Sequence, residues 1–170
     1  MNIIVISGTP RRTGRTRVAA RLIAEQLGAD LVDLSELCLP FFNGEKEQEE
    51  SPEVQQWKRK AHKADAFVWL TPEYHNGMSA VLKNALEFLD AESFRHKPTL
   101  LFSVAGGGKG GINALNQMRT IGRGLRAHVV PEQFVFDPHC FVHGQGFTRE
   151  ASEKVSKIIC EFNRYIVVKS

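Results

Sequence analysis

The chain has 170 residues, enough for one domain with a substantial core. Hydrophobic residues make up 42% and charged residues 24%, and a formal charge of only +3 argues against a nucleic-acid backbone as partner. Three distant cysteines (Cys38, Cys140, Cys160) form no CxxC, and no apolar run approaches a membrane span, so a disulfide scaffold and a membrane protein are set aside and a cytoplasmic setting is expected.

Met1-Asn2 leads straight into an apolar run, with no signal peptide expected ahead of it. That run, Ile3–Ser7, reads as the first strand. A helix is predicted over 16–27, where Val18, Leu22, Ile23 and Leu27 recur at helical spacing. Residues 29–34 form a short second strand, and 39–44 a turn. The acidic stretch 45–53 reads as a solvated loop. Pro52 opens a second helix, carried through 54–63 with Trp57 and Ala61 on one face. Residues 66–70 are continuously apolar, the mark of a strand buried on both faces. A helix over 78–89, a buried strand over 99–105 and a helix over 112–125 follow, the last with Leu115, Met118 and Leu125 inward. Pro131 interrupts 129–136, which predicts an edge or bulged strand. A final helix runs from about 148 to 166, with Val155, Ile158, Ile159 and Phe162 on one stripe.

Five strands alternating with helices predict an α/β fold: a flavodoxin-like, five-stranded parallel sheet of order 2-1-3-4-5, helices on both faces, in one domain over 1–170. Ligands of such sheets lie beyond the carboxyl ends of the strands, at the switch point between strands 1 and 3. The loops after strands 1, 3 and 4 should therefore carry the chemistry.

The first loop, GTPRRTGRT, sits between a strand and a helix start. Five residues separate Gly8 from Gly14, and Arg15 stands where a P-loop needs Lys, so a triphosphate site and a phosphotransferase are disfavoured. Pro10 and Thr13 break a dinucleotide GxGxxG. What remains suits one terminal phosphate. Thr9, Thr13 and Thr16 supply hydroxyls, the helix start supplies N–H groups, and Arg11 and Arg15 supply charge. Arg11, Arg12, Arg15 and Arg17 fall within seven positions and would repel one another and the helix pole if they only capped it. The second loop, TPEYHNGMS, joins Pro72, Tyr74, His75 and Gly77 along an unusual path suited to a flat heterocycle, with Asn76 or Ser79 as a helix cap. The third, 106–111, holds five glycines in six residues. That entropy cost implies close approach to the backbone, or movement.

GTPRxxGRT after strand 1, TPEYHNGMSAVLKNALEFL after strand 3 and AGGGKGGINALNQMR after strand 4 resemble the NADPH-dependent FMN reductase family of flavodoxin-like proteins, and within it the azoreductase type. The resemblance reaches about Pro138. It implies non-covalent FMN, with Thr9, Arg11, Arg15 and Thr16 at the phosphate. Pro72, Glu73, Tyr74 and His75 would line the isoalloxazine, and Gly106, Gly107 and Gly108 its pyrimidine edge. Members often carry Ser at positions 9 and 14, and Asn at 75, so His75 is expected to act through its backbone. The implied reaction passes hydride from NADPH through flavin N5 to a small-molecule acceptor such as an azo compound, quinone or free flavin. It needs no metal and no named catalytic side chain. Glu73 and His75 are the nearest proton carriers by analogy, and Lys109 is expected to be solvated. The alternative is a flavodoxin-like electron carrier without NADPH turnover, which a sequence pI near 8.8 disfavours.

Lesser signals read blandly. His139-Cys140 and His143 lack partners for a metal. Trp57 and Trp69 read as core or interface. Phe41, Phe42, Phe88, Phe94 and Phe141 are expected at the surface, where they would serve a homodimer or homotetramer.

Overall fold

The computed structural model describes residues 1–108, 110–143 and 145–167. Five parallel strands form one sheet in the order β2-β1-β3-β4-β5: β1 Ile3–Ser7, β2 Asp30–Asp33, β3 Ala66–Pro72, β4 Pro98–Val104 and β5 His128–Phe136. Every residue of β1, β3 and β4 is buried, which is why these strands are largely apolar with no polar alternation, their only polar members being the buried Ser7, Thr71, Thr99 and Ser103.

Helices cover both faces. On one, α1 (Arg15–Leu27) and α6 (Arg149–Val167) place Ala19, Ile23, Val155, Ile159 and Phe162 against Val5, Val68 and Phe102. On the other, α2 (Pro52–Lys63), α3 (Ala80–Glu87), α4 (Ala91–Phe94) and α5 (Ile112–Gly124) bury Trp57, Leu82, Phe94 and Leu115 against Ile6, Phe67 and Trp69. Trp57 Nε1 donates to the Ala85 carbonyl at 2.7 Å, so its polar edge is satisfied inside the core.

Three expectations change, and one element is added. The helix predicted over 78–89 starts at Ala80 and ends at Glu87, because Asp90 caps a separate turn, accepting the Ser93 N–H at 3.0 Å. The acidic stretch contains a 3-10 turn over Lys46–Glu50. Phe88, Phe94 and Phe141 are buried, leaving Phe41 and Phe42 as the exposed pair. Phe94 packs on Phe67 and Trp69 with ring centroids 4.7 and 5.4 Å away. Residues after the last sheet strand add a small antiparallel hairpin, β6 Phe141–Val142 and β7 Gly146–Phe147, anchored by parallel stacking of Phe147 on Phe136 at 4.9 Å. Pro131 behaves as expected: β5 is an edge strand, and its register against β4 shifts between Thr99 and Leu101.

Candidate active site

The loops that leave β1, β3 and β4 at their carboxyl ends surround one cleft of about 280 Å³. Thr9, Arg11, Gly14, Arg15 and Thr16 line it from the first loop, Pro72, Glu73 and Tyr74 from the second, and Val104, Ala105 and Gly106 from the third.

The first loop leaves β1 pressed against β3. Gly8 N–H donates to the Leu70 carbonyl at 2.8 Å, and a Cβ at position 8 would sit 2.4 Å from that oxygen, so the position demands Gly. Thr9 and Thr16 are buried. Thr9 Oγ1 accepts the Arg11 N–H at 3.2 Å. Gly14 begins α1 without a side-chain cap, and the first turn holds no acidic residue. A helix start presents unpaired N–H groups and a positive pole. Among the described residues Arg11, Arg12 and Arg15 enter no ion pair. The arrangement concentrates positive charge and stands ready for an anion. Arg17 is the exception, paired with Asp33 and Glu36. Burial pushes the Asp33 carboxyl up, but hydrogen bonds from Ser35 and the Arg17 ion pair outweigh it and hold the group below the usual carboxylate range.

The second loop turns back on itself. Tyr74 and Gly77 exchange N–H···O bonds of 2.9 and 3.0 Å, with His75 at φ 49° and Asn76 at φ 63° between them. Two left-handed residues define a type I′ turn, here built without glycine in either central position. The His75 side chain is exposed at its tip and is not on the cleft wall. Three side chains hold this loop from behind. Ser79 Oγ donates to the Gly8 carbonyl at 2.6 Å and accepts the Leu82 N–H at 3.2 Å, so it caps α3 and binds the first loop at once. Thr71 Oγ1 accepts the Ser79 N–H at 2.9 Å. Gln117 Oε1, from α5, accepts the Met78 N–H at 2.7 Å.

Glu73 couples the second loop to the third. Its Oε2 accepts the Ala114 N–H at 2.9 Å, in the first turn of α5, whose own cap is Gly111 with no side chain to offer. In the third loop Gly107, Gly108 and Gly111 adopt φ of 129°, 73° and 93°, which explains part of the glycine run as backbone geometry. Gly106 faces open space at the cleft. Lys109 lies outside the described residues. Eight expected residues (Thr9, Arg11, Arg15, Thr16, Pro72, Glu73, Tyr74, Gly106) thus share one cleft, whereas His75, Gly107 and Gly108 shape loops without lining it. Ser79, Thr71 and Gln117 gave no sequence signal beyond a possible cap at Ser79, because their partners are up to 71 positions away. Among the described residues no group of three or more His, Cys, Asp or Glu gathers to hold a metal.

Compared with known families, residues 1–140 match the NADPH-dependent FMN reductases. The chain belongs to this family. It is 44% identical over 168 residues to an NADPH azoreductase of a Bacillus species, strain OY1-2, covering 99% of this chain and 94% of that one. A quinone reductase of Pseudomonas putida is 30% identical over 129 residues, or 69% of this chain and 67% of its own. In fold it is similar to the flavoenzyme FerB, an NAD(P)H:(acceptor) oxidoreductase of Paracoccus denitrificans, with TM-score 0.82, 18% identity and 97% and 96% of the two chains covered. As a member of the NADPH-dependent FMN reductases, the chain is an oxidoreductase whose cofactor is FMN and whose reductant is NADPH.

Proposed function

We propose that FMN occupies the cleft at the carboxyl edge of the sheet, its phosphate at the start of α1 and its ring along 72–74 and 104–106. The observation that carries this reading is the charge at that helix start: Arg11 and Arg15 without an acidic partner among the described residues, buried hydroxyls at Thr9 and Thr16, and a first turn with no acid and no side-chain cap. A dianion there neutralises two guanidiniums and meets the free N–H groups, which offsets a repulsion that the protein alone leaves standing. Bound there, FMN supplies two-electron chemistry between NADPH and an acceptor.

The protein's own part is to bind, orient and leave room. Glu73 has one carboxylate oxygen committed to the Ala114 N–H, so its role is to orient the loop that carries Tyr74. His75 contributes through the left-handed turn it helps to form, and it is exposed and not part of the cleft lining. Tyr74 is 39% exposed at the cleft, an open rim that leaves access for flat acceptors of the azo, quinone or free-flavin class. The same reading takes 1–170 as a single flavodoxin-like domain and the enzyme as cytoplasmic and a homodimer or homotetramer. Support for the last is the exposed Phe41, 82% accessible beside Phe42, and three cysteines without disulfides suit a reducing compartment. No helix among the described residues is long and apolar enough to cross a membrane.

Flavin content decides the matter. The purified protein is expected to be yellow and to release FMN on heating. Arg15→Ala should lose most of its flavin on dialysis while keeping its far-UV circular dichroism. A variant that retains its flavin would remove the phosphate from this site. Rapid mixing with NADPH should bleach the wild-type flavin, and a flavin left oxidised would favour an electron carrier instead.

A further inference from the structure

Of the four arginines crowded at the first loop and the start of α1, three enter no ion pair among the described residues, and Arg17 enters two. Its Nε donates to Asp33 Oδ2 and its Nη2 to Glu36 Oε1, while Nη1 donates to the Arg12 carbonyl at 2.9 Å. Each of its three nitrogens is thereby engaged, and Arg17 is not on the cleft wall. Asp33 is held in turn. Its Oδ1 accepts both the Ser35 N–H at 3.0 Å and the Ser35 hydroxyl at 2.7 Å, and it sits at the end of β2 in register with Ser7, the residue that precedes the loop.

A continuous line of bonds therefore runs from Ser35 through Asp33 and Arg17 to the carbonyl of Arg12. It fastens the middle of the first loop to the edge strand, at a point between Arg11 and Arg15, the two cleft arginines. The two carboxylates also keep this third guanidinium off any anion in the cleft. We propose that Arg17 is a positioning residue for the cofactor phosphate: it sets the backbone that aims Arg11 and Arg15, and makes no contact with the phosphate itself. This rests on the phosphate reading given above. Lysine at position 17 would keep the charge but lose the planar fork that serves three partners in different directions, so it cannot hold the loop in the same way. A small displacement of the loop penalises recognition of the phosphate and leaves the ring contacts of the other two loops in place.

The test is a fluorescence titration of flavin-stripped protein with FMN and with riboflavin, which carries the same ring without the phosphate. Wild type, Arg17→Lys, Asp33→Asn and Arg15→Ala are compared after identical treatment. Arg17→Lys is expected to weaken FMN binding by about tenfold or more while riboflavin binding changes by no more than about twofold, a difference in binding free energy confined to the phosphate. Asp33→Asn should move FMN in the same direction by a smaller factor. Equal losses for both flavins in Arg17→Lys, or no loss, alongside a selective FMN loss in Arg15→Ala, would overturn the positioning role and leave the phosphate site standing. An FMN-to-riboflavin ratio unchanged in Arg15→Ala would overturn both. Should Arg17→Lys not fold, Asp33→Asn decides: a selective FMN loss supports the role, and a uniform loss or none refutes it.

Discussion

Gly111 carries two constraints at once. Its φ of 93° lies where side chains are strained, and a Cβ there would come within 2.4 Å of Val135 Cγ1 on the neighbouring strand. Gly111→Ala should therefore cost about 2–4 kcal/mol, read as a lower urea midpoint at unchanged slope, through overpacking and backbone strain together. Gly108, with nothing within 4 Å of the added carbon, carries only the conformational constraint. Two glycines of one run thus do different work, and composition alone could not separate them. Residue chemistry was legible where a strand ended: Thr9, Arg11, Arg15 and Thr16, grouped in the sequence because hydroxyl and cationic side chains cluster just past a buried run, share one cleft wall. Gln117 was illegible, since an amide on a helix has no local signature of the Met78 N–H, 39 positions away, that it accepts.

The second and third loops form one unit at the scale of elements. Glu73 belongs to the loop after β3, yet the helix it caps follows β4, so removing it disturbs both. Glu73→Ala should lower stability by about 1–2 kcal/mol, the range for losing a helix cap, and should loosen flavin retention with it. Glu73→Gln keeps an acceptor for the Ala114 N–H and gives up only charge at the helix pole, worth about 0.3–1 kcal/mol. Thermal melts of both variants, with and without added FMN, check the ordering. Strands and their order followed from apolar runs separated by helical periods, because parallel strands covered on both faces leave no room for polar alternation. What escaped the pattern was long-range. The break after Glu87 depends on Asp90 as a cap, and the 141–147 hairpin depends on an aromatic stack with Phe136. Neither changes the local periodicity that predicts a helix or a coil.

Charge and topology act together across the whole molecule. Asp33 lies at the sheet edge with its carboxyl held below the usual range, the sense expected of a group that is better stabilised ionised in the folded state than in the unfolded chain. Its contribution is therefore present above the unfolded carboxylate pKa of about 3.9 and is lost as pH falls through the lower folded value. Melting temperature should stay level from neutral pH toward about 5 and decline below about 4, and Asp33→Asn should soften that decline by removing one titrating group. Helices cover both faces of the sheet, and Pro131, which has no N–H to offer, interrupts the exposed ladder of the β5 edge.

The wiring behind the cleft has a consequence for its fluctuations. Met78 N–H is bound by Gln117, Ala114 N–H by Glu73, and Ser79 spans from Gly8 to α3. The base of the second loop, at Glu73 and at Met78–Ser79, cannot lift without severing bonds to α5 and to the first loop. The amide protons of Met78 and Ala114, though 36 positions apart in the chain, should thus exchange with solvent deuterium at matched opening free energies, as one cooperative unit. A much faster rate at one of them would mean that the loop breathes alone.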